Sequence, residues 1–128
     1  EKYRSVYSDE DIIFLGSMPP ENIEEYFCAC DVGVLPNTKS LFQDMAFHIK
    51  IIEFAAARRP VISSDLEEVR RMNLSSVTVL PLEPDLWVEA LRRARATHWD
   101  DATDKTLDKY DWRAICGRLT RLVENDAI

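Results

Sequence analysis

Residues 50–64 read Lys50-Ile51-Ile52-Glu53-Phe54-Ala55-Ala56-Ala57-Arg58-Arg59-Pro60-Val61-Ile62-Ser63-Ser64, and two periodicities meet within them. In the first half, preceded by Ile49, the residues Ile51, Ile52, Ala55 and Ala56 form a broad apolar helix surface. Lys50, Glu53 and Ala57 fall on another stripe, at spacings of three and four. Pro60 has no amide proton and cannot sit inside a helix, so the helix over about 49–57 stops before it. The reversal between Ala57 and Pro60 places a positive φ at or next to Arg58, a position that suits glycine. Val61-Ile62-Ser63-Ser64 then reads as a strand. A helix turned sharply into an apolar strand is the repeating element of a parallel sheet covered by helices.

The same alternation extends both ways. Upstream, an apolar run over residues 12–15 reads as a strand ended by Gly16. Pro19-Pro20 opens a helix whose first turns carry Glu21, Glu24 and Glu25 and which runs to about Cys30. Asp31 ends that helix, Val32-Gly33-Val34-Leu35 reads as a strand stopped by Pro36-Asn37, and the polar stretch 37–44 reads as a loop. Downstream, a short helix over 66–72 leads to a strand at 77–80, closed by Pro81. Pro84-Asp85 starts an amphipathic helix carrying Leu86, Trp87, Ala90, Leu91 and Ala94. Residues 97–109 are polar and acidic, a linker or surface helix. A last helix over 111–124 carries an apolar stripe of Trp112, Ile115, Leu119 and Leu122. The expected architecture is α/β: four parallel strands near 12–15, 32–35, 61–63 and 77–80, with helices on both faces.

Composition narrows the function. A chain of 128 residues suits one domain, and 46% hydrophobic with 30% charged residues is ordinary for a globular protein. No apolar run approaches the roughly 18 residues that cross a bilayer, and Glu1-Lys2-Tyr3-Arg4 is no secretory signal. The chain does not start with Met, which marks it as an expected piece of a longer polypeptide. The formal net charge of −7 argues against nucleic acid as a partner, so any anionic ligand must be held by local donors. Three cysteines, Cys28, Cys30 and Cys116, make no disulfide framework or metal motif and are expected to be buried free thiols. There is no Ser-His-Asp pattern, and three scattered glycines build no phosphate loop.

Three segments together resemble the C-terminal, nucleotide-sugar-binding domain of GT-B glycosyltransferases, the group 1 type with many retaining enzymes. Phe14-Leu15-Gly16 followed by Glu24-Glu25-Tyr26 is similar to its "FLG…eel..yy" unit. Cys30-Asp31-Val32-Gly33-Val34-Leu35-Pro36 is similar to "aDvgvlP". Lys50 to Ile62 is similar to "KllEyaAaGkPVv", the most specific of the three. The resemblance weakens beyond Asp65, although the Asp111-Trp112 helix is similar to a terminal "W" helix of the family.

The resemblance implies a Rossmann-like sheet and a single partial donor domain over 1–128, of which about 97–128 form a C-terminal linker and helix. It implies that Glu53 accepts hydrogen bonds from the ribose hydroxyls of a nucleoside-diphosphate sugar, since an ionised carboxylate can accept from a vicinal diol. Lys50, in the first helical turn, would approach the diphosphate, with Ile51 beside it. Gly16 would lie near the base. Pro36 and Asn37, with Lys39, would stand at a strand's carboxyl end, where open α/β sheets bind ligands. His48, just before the helix, reads as incidental more readily than as a phosphate contact. A plain Lys50–Glu53 surface ion pair at spacing three is the competing reading. No cofactor and no metal are implied; the nucleotide sugar is a substrate. Partners would be that donor, a glycan or lipid acceptor, and an N-terminal acceptor domain. The setting would be the cytoplasm, peripheral to the inner membrane face. The isolated fragment is expected to be inactive.

Three departures stand out. Counting back from Glu53 to the family's first glutamate gives Met45, with Gln43 and Asp44 as neighbours, so the sugar contact and the catalytic residues are unassigned. Arg58 replaces the usual Gly, and Ile49 the usual Pro. In the doubly wound order 3-2-1-4-5-6, residues 12–15 would be strand 3 and 32–35 strand 4, with two strands missing between them. The leading reading is a donor-binding domain for polysaccharide or glycolipid synthesis with a UDP- or GDP-linked sugar. The alternatives are a non-catalytic nucleotide- or partner-binding module and a generic flavodoxin-like domain, which lacks an acidic phosphoacceptor cluster.

Overall fold

Val61–Ser64 form the central strand of the sheet, and all four residues are buried. Burial on both faces needs helices above and below, which is why this strand shows no polar alternation. The computed structural model describes residues 12–94 and 105–125. Within them the strands are β1 (Gly33–Leu35), β2 (Val61–Ser64) and β3 (Val77–Leu80), all parallel, in the order β1-β2-β3. Gly33 stands opposite Val61 and Val61 opposite Val77; Val34, Ile62 and Thr78 follow in register.

The helices are α1 (Pro20–Ala29), α2 (Leu41–Met45), α3 (Ile49–Ala56), α4 (Glu67–Met72), α5 (Pro84–Ala94) and, after a 3-10 turn at Asp108–Tyr110, α6 (Trp112–Asn125). Pro20 at the first position and Glu21 in the first turn start α1 as the sequence predicts. Alternation then assigns the two faces of the sheet. Ile51 and Ala55 of α3 and Val69 and Met72 of α4 pack with Val61, Leu66 and Leu74 on one face. Trp87 and Ala94 of α5 pack on Ile62 on the other, where the Trp87 indole N–H donates to Pro81 O at 2.8 Å. Two serines in the central strand are buried at little cost, because Ser63 Oγ donates to Ser64 O at 3.2 Å and Ser64 Oγ to Leu35 O at 3.3 Å.

Several expectations need correction. Residues 12–15 form no strand, and Ile12, Ile13 and Leu15 are exposed. A short apolar run becomes a strand only if a ladder partner is there, and β1 is the edge of the sheet among the described residues. The stretch 37–44 is not all loop: α2 begins at Leu41, nucleated by Ser40, whose Oγ accepts from the Gln43 N–H at 3.2 Å. Cys28 and Cys116 are exposed and Cys30 half-buried, so the thiols are free but not core residues. Most of the apolar stripe of α6 is exposed: Trp112, Leu119 and Leu122 face solvent, and Ile115 is half-buried. Of the expected linker, residues 97–104 lie outside the described residues, and 108–110 form the 3-10 turn. The broad apolar surface of α3 divides in two, with Ile51 and Ala55 in the core and Ala56 exposed.

Candidate functional site

The chain path orients α3. Its end at Ala56 is joined by four residues to the start of β2, so the helix runs antiparallel to the strands and its first turn, with Lys50, lies at their carboxyl end. Spacing of three then brings Lys50 and Glu53 together. Lys50 Nζ stands 2.8 Å from Glu53 Oε2, with the two side chains about half and one-third exposed. That oxygen is itself shielded from solvent and accepts no aligned hydrogen bond. The ion pair is therefore its close partner, off the hydrogen-bond angle.

Helix α1 lies alongside α3. The Phe27 ring meets Phe54 edge-on at 4.6 Å between centroids, and the Lys50 ammonium sits over the Phe27 ring at 5.1 Å. Phe54 in turn crosses Gly33 so closely that a Cβ there would lie 2.7 Å from the ring, so the glycine admits the ring to β1. Between the two helices runs a groove of about 520 Å³. Pro20, Ile23, Phe27, Ala56 and Ala57 make its walls apolar; Glu24, Glu53 and Arg58 add charge, and Cys28 completes the lining. Ala56 and Ala57, at the end of α3, thus face the groove beside Glu53.

The turn that ends α3 is a complete Schellman motif. Arg58 has φ of 58°, its N–H donates to Ala55 O at 3.0 Å, and the Arg59 N–H donates to Phe54 O at 2.9 Å. The positive φ expected here falls on Arg58 itself. The Arg59 guanidinium donates to Cys28 O and ties this turn to the end of α1.

The remaining candidates are dispersed. The Ile51 side chain is fully buried in the core and its N–H bonds His48 O, so it presents nothing to a ligand. Gly16 has φ of 74° but follows no strand. Neither Gly16, Pro36 nor Asn37 lines the groove, and the Asn37 N–H is taken by Leu35 O. His48 is buried, with its Nε2 2.9 Å from Gln43 O, which makes it a structural residue. Lys39 faces Asp44 at 3.8 Å, and Asp44 Oδ1 also accepts the Glu67 N–H at 3.0 Å, fastening α2 to the start of α4. At the carboxyl end of β2, the Arg70 guanidinium bonds Asp65 and holds that carboxyl below the usual carboxylate range.

Sequence reasoning missed Phe27, Ile23, Ala56 and Ala57. The signal was a row at spacings of three and four on α1, but only the packing of α1 against α3 makes it a wall. Among the described residues no group of three His, Cys, Asp or Glu is placed to hold a metal ion, and no helix is long and apolar enough to cross a membrane.

Comparison with known proteins adds to this geometry. The family model described as glycosyl transferases group 1 matches residues 1–96. A Bacillus subtilis (strain 168) protein, provisionally named a teichuronic acid biosynthesis glycosyltransferase, TuaH, is 29% identical over 62 residues, covering 48% of this chain and 16% of that protein. The chain therefore spans about a sixth of the length of that curated relative. No solved structure matches it.

Proposed function

The chain belongs to the group 1 glycosyltransferases, and from that premise we propose that it is the donor-binding part of an enzyme that moves a sugar from a nucleoside diphosphate to an acceptor hydroxyl. The observation that carries this reading is Glu53, a carboxylate lining the α1–α3 groove with the Lys50 ammonium 2.8 Å away at the first turn of α3. Glu53 holds the ribose diol, and Lys50 neutralises the diphosphate, most of all as it leaves. The apolar walls from Pro20 and Ile23 give the flat nucleoside a surface. The donor is UDP- or GDP-linked, and the acceptor is a growing polysaccharide or glycolipid; the acceptor half lies in other parts of the intact enzyme. No metal is required for this reading, since Lys50 supplies the positive charge.

A charge-assisted hydrogen bond contributes about 1.5–3 kcal/mol, so Glu53→Gln in the full-length enzyme weakens UDP or GDP binding roughly ten- to a hundredfold and leaves the fold intact. Calorimetric titration of both nucleotides, with melting curves alongside, measures this. An unchanged affinity in a folded variant reduces Glu53 to one half of a surface ion pair. Met45 at the place of the family's first glutamate, exposed on α2, favours a second reading in which the site binds nucleotide without transferring sugar. Nucleotide binding without donor turnover by the full-length protein would establish it.

A further inference from the structure

Lys50 and Glu53 form an ion pair, and that pair has its own support. The ammonium stands both 2.8 Å from Glu53 Oε2 and over the Phe27 ring at 5.1 Å. Phe27 is braced in turn: its ring packs on Phe54, and Phe54 lies against Gly33 of β1 with no room for another carbon. A half-exposed lysine would otherwise sweep many rotamers, and an exposed pair of this type is weak. Here the aromatic face removes part of that freedom and holds the charge where Glu53 needs it.

We propose that Phe27 is a positioning residue that keeps Lys50 on Glu53 as an internal latch, opened by partner exchange when a ligand brings both a diol and an anion. This rests on the nucleotide reading of the groove. The exchange follows from charge balance. A nucleotide gives Lys50 a phosphate and Glu53 two hydroxyls, so both charges keep partners. A bare nucleoside must compete with Lys50 for Glu53 and leaves the ammonium without a carboxylate. Pyrophosphate draws Lys50 away and strands Glu53, whose Oε2 is shielded from water. The latch therefore discriminates against each half of a nucleotide presented alone, beyond the loss of that half's own contacts.

The test uses the full-length enzyme with uridine, UDP and pyrophosphate as probes, measured by calorimetry or by competition. In Lys50→Met, UDP binding falls about tenfold or more while uridine binding tightens two- to fivefold, the range that a weak ion pair corresponds to. In Phe27→Leu, which keeps the ammonium, uridine tightens in the same direction and the UDP-to-uridine ratio narrows. Phe27→Tyr keeps an aromatic face and retains the wild-type ratio. A purely structural role for Phe27 weakens all three probes together and overturns the proposal. So does uridine affinity unchanged in both Lys50→Met and Phe27→Leu with melting temperatures preserved. If Glu53→Gln still weakens UDP in that case, the nucleotide reading survives and only the latch fails. If the wild type binds neither uridine nor UDP, both fall.

Discussion

Gly33→Ala adds one methyl group at the point where β1, α3 and α1 meet. The new Cβ lies 2.7 Å from Cγ and Cδ2 of Phe54 and 2.9 Å from its Cδ1. Ordinary carbon contacts are about 3.5–4 Å, so something must yield by close to an ångström. The strand cannot: β1 is laddered to β2, and the Gly33 N–H donates to Pro60 O at 2.9 Å. The ring resists as well, because Cγ is its attachment point and Phe27 packs edge-on against it with centroids 4.6 Å apart. Overpacking of this kind costs about 1–3 kcal/mol, which lowers the melting temperature by roughly 3–15 °C for a domain of this size. Urea denaturation of Gly33→Ala, Phe54→Leu and the double variant isolates the collision. Without the ring the methyl has room, so the double variant is more stable than the sum of the single losses by about 1 kcal/mol or more. A Gly33→Ala protein within about 0.5 kcal/mol of wild type, or a fully additive double variant, refutes the packing argument.

Arg58→Gly relieves a left-handed residue of its Cβ conflict and stabilises the domain by about 0.5–1 kcal/mol after the entropy of the unfolded glycine is counted; a lower urea midpoint contradicts this. Trp87→Phe leaves Pro81 O without its indole donor and costs about 1–3 kcal/mol, measured by the same denaturation; a cost under 0.5 kcal/mol shows that water replaces the bond. Asp65 titrates below the usual carboxylate range because Arg70 bonds its charged form, so Arg70→Gln raises its midpoint toward the ordinary value. The sign is that of a depressed acid: the pair's contribution is present above the ordinary carboxylate range and is lost as pH falls through the lowered pKa. Carboxyl-carbon NMR titration of Asp65 reads it, and an unmoved midpoint removes Arg70 as the cause.

What was legible was what depends on neighbours in the chain. Pro60 after an apolar helix announces the α3–β2 turn, down to the positive φ of Arg58, because a helix that must reverse within three residues has few ways to do so. Three of four strands follow from apolar runs bounded by Pro, Asn and Gly. Residues 12–15 carry the same local signal, yet strand formation needs a partner edge, which is a property of the whole sheet. Helix α2 was hidden because Ser40 reads equally as a loop residue and as a cap. At the site, the Lys50–Glu53 contact is within a helix and could be counted off. The groove wall could not, because it joins residues about 30 positions apart through Phe27 and Phe54, and no local period records which helix lies beside which.

The sheet is laid down in chain order, β1 then β2 then β3, each new strand on the outer side of the last. A nascent chain can therefore add strands one at a time without inserting any between two already paired. The central strand is the last to be secured, however. Until residues 77–80 emerge, β2 has only β1 beside it, and until Trp87 arrives Ile62 has no indole over it. The buried middle of the domain is thus completed by its later residues. In the finished fold the amides of β2, enclosed by both ladders and both helix layers, should be the slowest to exchange with solvent deuterium.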